Sequence, residues 1–145
     1  MPQPSLSETT AFVRQAYYAL GKHSTYDHTI RVLNYLPPNA TDQQRYIALL
    51  HDVLEDTPLN IDQFSLPIRA AVELLTRRKP MTYPEYIDRL IQSKNRDAII
   101  VKIADNTDNT DTKRMMMLNA FKQKALRERY AGLIPRLQKA LTQCP

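Results

Sequence analysis

The sequence predicts an all-α fold, a compact single-domain helical bundle spanning residues 1–145. Apolar residues recur at helical spacing along nearly the whole chain, and no alternating run marks a strand or hairpin. With 43% hydrophobic and 24% charged residues, 145 residues can bury a self-sufficient core, and the composition is not that of a disordered chain. No internal repeat, low-complexity tract or linker divides it.

Ser7 can cap a first helix with Phe12, Ala16 and Leu20 on one face, ended near Gly21. A second helix is expected around Asp27 to Leu36, stopped by Pro37-Pro38. On it His28, Val32 and Leu36 share a face, so His28 points toward the core. Thr41-Asp42-Gln43-Gln44 forms a capping box for a third helix, expected to run on to Thr57-Pro58 with Ile47, Leu50, His51 and Leu54 along one stripe. Pro67 suits the first turn of a fourth helix bearing Ile68, Ala71, Val72 and Leu75. Thr82-Tyr83-Pro84-Glu85 opens the next as a second capping box.

Asn95 then caps a helix whose segment Ala98-Ile99-Ile100-Val101-Lys102-Ile103-Ala104 is apolar around most of its girth, which predicts a central position. It leads into Asp105, Asn109 and Thr112, spaced four and three apart on one face. The acidic stretch from Asp105 to Thr112 lacks the alternation and glycine of an EF-hand loop. A further helix is expected from Lys113 to about Ala131, with Met115, Met116 and Met117 as core packing. Gly132 and Pro135 precede a last amphipathic piece carrying Leu137 and Leu141.

Charge is unevenly spread over the net +5. Between Asp42 and Asp62 five acids face Arg45 alone, and between Lys113 and Lys139 eight bases face Glu128 alone. An acidic centre in a basic surround suits a cation site that receives a phosphorylated ligand. Nucleic acid is the weaker partner, because the acidic centre repels a phosphate backbone. Cys144 is the only cysteine, so no internal disulfide can form, and no run approaches a membrane span. The N-terminus lacks the basic and apolar regions of a signal peptide, and these features together predict a cytoplasmic protein.

The chemistry concentrates in His51-Asp52-Val53-Leu54-Glu55-Asp56, one imidazole and three carboxylates directly after the apolar run Tyr46-Ile47-Ala48-Leu49-Leu50. Charges beside a buried run need compensation, and a divalent cation is the simplest compensator. Adjacent side chains on a helix diverge by about 100°, so an ion shared by His51 and Asp52 must sit at the helix edge and take further ligands from other helices. His28 and Asp105 are the candidates. Two His and two Asp make a nitrogen–oxygen set suited to an open Mn, Fe, Co, Ni or Zn site. Glu55 and Asp56, one turn beyond, are placed to hold or deprotonate a water acidified by the ion. Lys22, Arg77, Lys102 and the C-terminal bases can supply positive charge to a phosphate.

These residues resemble a known group. His28, His51-Asp52 and Asp105 reproduce the spaced His, His-Asp, Asp signature of the HD-domain metal phosphohydrolases. The segment Ala48 to Thr57 is similar to the central motif of the alarmone hydrolase domains of the RelA/SpoT type and their small stand-alone relatives. Val101-Lys102-Ile103-Ala104-Asp105, followed by Asn109 and Thr112, is similar to their second motif, and the likeness spans roughly residues 22–112. The resemblance implies that His28, His51, Asp52 and Asp105 hold a metal, usually manganese, that Glu55 and Asp56 position and activate the attacking water, and that Asn109 and Thr112 contact the nucleotide. It implies removal of the 3′-pyrophosphate of guanosine tetra- or pentaphosphate. The chain departs from that group in two places. The segment before His28 is shortened to Lys22-His23-Ser24-Thr25-Tyr26-Asp27, with no arginine to stack on guanine, and Asp108 stands where the group has histidine or tyrosine. Another nucleotide substrate, or a regulator that binds nucleotide without turnover, is the alternative these departures raise.

Overall fold

Side-chain caps set where the helices begin. Ser5, rather than Ser7, starts α1 (Leu6–Ala19), because its hydroxyl accepts from Glu8 N while Glu8 returns the bond to Ser5 N, which satisfies two otherwise unpaired donors. Gly21, at φ +69°, makes the left-handed turn that lets α2 (His23–Tyr35) follow at once, four residues earlier than the sequence predicts. The Thr41/Gln44 box opens α3 (Asp42–Leu50) as expected. Thr82 caps α6 (Tyr83–Ser93) by accepting from Glu85 N, although the Glu85 side chain does not complete the box. Asn95 caps α7 (Arg96–Asn109).

The computed structural model describes residues 2–145, and among them the elements are helical throughout, with no strand. The expected third helix does not run unbroken to Thr57. It stops at Leu50, and a single turn, α4 (Val53–Asp56), resumes beyond His51 and Asp52. Asp52 sits at φ −107°, ψ −2°, displaced from ideal helical values, which marks the break between the two halves. After α5 (Leu66–Leu74), α6 and α7, the expected single helix from Lys113 is likewise two pieces, α8 (Thr112–Met115), capped by Asp111, and α9 (Ala120–Tyr130), capped by Asn119. Gly132 leads into α10 (Leu133–Thr142).

Helix α7 is central, as its apolar girth predicts, and packs against α2, α3, α5, α6 and α10, with α1 laid over α2 and α3. Val13, Val32, Ile47, Leu50, Ile99, Val101 and Leu137 are all fully buried, and each contributes on the order of 1.5–3 kcal/mol relative to exposure. The methionines correct the sequence reading. Met116 is 70% and Met117 84% exposed, because the chain turns between α8 and α9 instead of laying that stretch on the core. Among the described residues no helix is long and apolar enough to cross a membrane.

Candidate metal centre

His51 closes α3, and its Nδ1 lies 2.6 Å from the carbonyl of Ala48 in the preceding turn. A carbonyl only accepts, so Nδ1 keeps its proton and Nε2 is the nitrogen whose lone pair becomes available when the ring is neutral. That nitrogen is buried and takes part in no hydrogen bond. Asp52 Oδ2 stands 3.1 Å and Asp105 Oδ1 3.7 Å from it, close but out of alignment for one. His51 and Asp52 thus face one point from the turn between α3 and α4.

His28 reaches that point from α2. Its Nε2 is 2.9 Å from Asp105 Oδ1 and 3.6 Å from Asp52 Oδ2. Its Nδ1 is 2.5 Å from the carboxylate of Asp108, which is 1% exposed and also engages Arg31 Nε and Arg114 Nη2, each at 2.9 Å on Oδ1. Asp105, on α7, accepts from Lys102 Nζ at 2.8 Å on Oδ2 and from Asn109 Nδ2 at 3.1 Å on Oδ1.

The donor set fits a metal. One donor atom each from His28, His51 and Asp105 lie within 4.8 Å of one another, and this buried cluster can hold a metal ion. Nitrogen and oxygen donors bound at about 2.0–2.2 Å around one centre stand roughly 3–3.5 Å apart, close to the measured spacings. The unpartnered Nε2 of His51 is the second indication, since a buried polar atom without a partner is costly unless a ligand fills the role.

Electrostatics point the same way. Burial opposes charge on His28 and His51, but the Asp105 and Asp52 carboxylates outweigh it and hold both above the ordinary histidine value, His51 well above. Burial likewise opposes ionisation of Asp105, yet Lys102 and the two imidazoles hold it well below the usual carboxylate range. Lys102 and the two imidazoles thus offset the buried carboxylates of the cluster.

A pocket of about 250 Å³ opens above the cluster, with His28, Asp52, Glu55, Lys102, Asp105 and Asn109 in its wall. Arg77, Tyr83, Arg129 and Tyr130 line the same space. Glu55 accepts from the backbone N–H of Arg77, which ties α4 to the segment after α5. Burial and the nearby Asp52 and Asp56 charges raise the Glu55 pKa, and burial with Asp52 raises that of Asp56.

The predicted phosphate ligands separate into groups. Arg77 lines the pocket with a free guanidinium edge over the Tyr83 ring. Lys102 is buried, pairs with Asp105 and lies 4.9 Å from the Tyr86 ring centre, so it is anchored within the wall. Lys22 is turned away, donating to the carbonyl of Asp56 at 2.7 Å. Asn109 lines the pocket through the amide that holds Asp105. Thr112 is exposed on α8 and does not share a face with Asp105, because α7 ends at Asn109.

Three participants were not assigned these roles from the sequence. Asp108 and Arg31 meet His28 only through the tertiary fold, and Arg129 reaches the pocket from one of many C-terminal bases. A second pocket of about 330 Å³ lies on the other side of His28 and Asn109, between α2 and the turn from α8 to α9, with Met115, Leu118 and Leu126 in its wall. No family model matches the chain, and no curated protein matches it.

Proposed function

We propose that this chain is a metal-dependent phosphohydrolase of the HD type, acting on a phosphorylated nucleotide. The observation that carries the proposal is the convergence of His28, His51, Asp52 and Asp105, from distant stretches of sequence, at the base of a pocket that also presents Glu55, Arg77 and Arg129. The four side chains are assigned as metal ligands and manganese as the ion, in keeping with an open nitrogen–oxygen set. When bound, the ion supplies Lewis acidity and brings the pKa of a water toward neutrality.

The remaining chemistry belongs to the protein. Glu55, with its pKa raised by burial and by Asp52, is the proton acceptor, and Asp56 is its neighbour in holding the water. Arg77 and Arg129 offer charge to the phosphate oxygens as negative charge develops, and Lys102 steadies Asp105 from behind. The pocket walled by Met115, Leu118 and Leu126, which shares His28 and Asn109 with the site, gives the nucleoside part an apolar surface beside it. The reaction assigned first is removal of the 3′-pyrophosphate of guanosine tetra- or pentaphosphate. Water attacks phosphorus, the bond from that phosphorus to the ribose 3′-oxygen breaks, pyrophosphate leaves and the 3′-oxygen gains a proton.

One observation favours a second reading, HD-type hydrolysis of another nucleotide. Lys22 is spent on a backbone carbonyl, and the short link before His28 has no arginine to stack on guanine. A manganese-supplemented screen with product identification tests both readings. Pyrophosphate from the guanosine 3′-diphosphates supports the first, and orthophosphate or a cleaved diester from other nucleotides supports the second. No product from alarmones, nucleoside mono- and triphosphates or cyclic nucleotides would overturn the enzymatic proposal.

A further inference from the structure

The two histidines of the centre are oriented by different means. His51 is fixed by a carbonyl of its own helix, whereas the Nδ1 of His28 meets a carboxylate 80 residues away in the sequence. That carboxylate, Asp108, is almost wholly enclosed, and its two oxygens have separate tasks. Oδ1 takes Arg31 Nε from α2 and Arg114 Nη2 from α8, both at 2.9 Å, and the same Arg114 nitrogen also meets the Asp108 carbonyl. Oδ2 is left facing His28 Nδ1 at 2.5 Å. His28 and Arg31 lie one turn apart on α2, so one carboxylate can engage both.

We propose that Asp108 is a positioning residue: clasped by Arg31 and Arg114, it accepts a hydrogen bond from the Nδ1–H of His28, keeps the ring's proton on that nitrogen and so commits the Nε2 lone pair to the metal. The inference rests on the metal-centre reading above. The clasp prevents the carboxylate from rotating, and the bond to Nδ1 fixes both the plane and the tautomer of the ring. It also gives Asp108 a task within the protein wall, so that Arg31 and Arg114 neutralise it instead of an incoming phosphate.

The test uses the full-length chain and two readouts that need no substrate. Free manganese is followed during titration of the wild type, Asp108→Asn, Asp108→Ala and Arg114→Met. Loss of such an outer-sphere partner is expected to weaken manganese binding about 10–100-fold in both Asp108 variants, while Arg114→Met, which leaves the Asp108–His28 contact and Arg31 in place, changes affinity less than about threefold. In the zinc-loaded wild type, nitrogen-resolved NMR of the histidines should show a downfield, slowly exchanging Nδ1–H on His28, displaced in Asp108→Asn. Wild-type affinity in both Asp108 variants would overturn the proposal, as would an equal loss in Arg114→Met, which would make the clasp alone responsible. Metal bound through Nδ1 in the wild type would also overturn it, and that measurement stands even if Asp108→Ala does not fold. A wild type that binds no manganese at all would instead overturn the metal centre itself.

Discussion

Helices α2, α3 and α7 bury Val32, Ile47, Leu50, Ile99 and Val101 completely, and the ligand-bearing side chains project from these elements or from the junction next to them. Helix α9 buries none of its own residues and leaves Phe121 83% exposed, yet it supplies Arg129 and Tyr130 to the same pocket. One side of the pocket is an extension of the core, and the other is a thin wall leaning over it. The contrast teaches where tolerance lies. Donors that must share one ion need tenths of an ångström, and the core provides that, whereas charge offered to a phosphate can come from a less constrained element.

The largest test of the contrast is Asp105→Ala. It removes a proposed metal donor and leaves Lys102 buried without its partner, at an expected stability cost of about 3–5 kcal/mol. Denaturant unfolding and manganese titration measure both effects, and an unchanged midpoint would erase the distinction between floor and wall. Glu55→Gln separates chemistry from scaffold within the floor: manganese affinity is retained while turnover falls by about 10²–10⁴-fold. Full turnover in that variant would show that the base lies elsewhere.

The pH response comes next. His28 and His51 have raised folded pKa values, so in the metal-free protein their stabilisation is complete below the unfolded histidine value of about 6.5 and is lost as pH rises through the folded values. Asp105 is depressed, so its contribution is present above the unfolded carboxylate value and is lost only as pH falls through its folded one. On the proposed assignment manganese must displace the histidine protons, so its affinity should strengthen with rising pH, and the increase in melting temperature it produces should be largest on the alkaline side. Melting curves across that range, with and without metal, check the sign.

On the wall, effects should be smaller and confined to substrate. Arg129→Ala should raise KM about tenfold by removing a charge-assisted contact, with stability unchanged within about 0.5 kcal/mol. Phe121→Ser, at the outer edge, should alter neither activity nor stability beyond about 0.5 kcal/mol. A cooperative loss of fold in either variant would mean that α9 belongs to the core after all.

The same division governs what could be read from the residues alone. The floor was legible because its signals are local: the His51-Asp52 pair after an apolar run, the girth of the helix ending at Asp105, and caps at Thr41 and Asn95. The bond from His28 to Asp108 was not, because nothing in either neighbourhood indicates a partner 80 residues away. Lys102 was expected to offer its charge to a phosphate, and its pairing with Asp105 buries it in the wall instead. Met116 and Met117 are apolar enough for a core and are exposed because the chain turns there, a decision made by Asp111 and Asn119 as caps. Thr112 shared a face with Asp105 only on the assumption of an uninterrupted helix.

The offset between α3 and α4 has a consequence for anyone borrowing this centre for a designed protein. Transplanting the His51-Asp52 pair onto an ideal straight helix would set the two side chains about 100° apart, and only an ion at the helix edge could keep both as donors. The portable unit is the dislocation together with its flanking turns, from Ala48 to Asp56, and a graft that copied residue identities while regularising the backbone would carry the letters without the chelate.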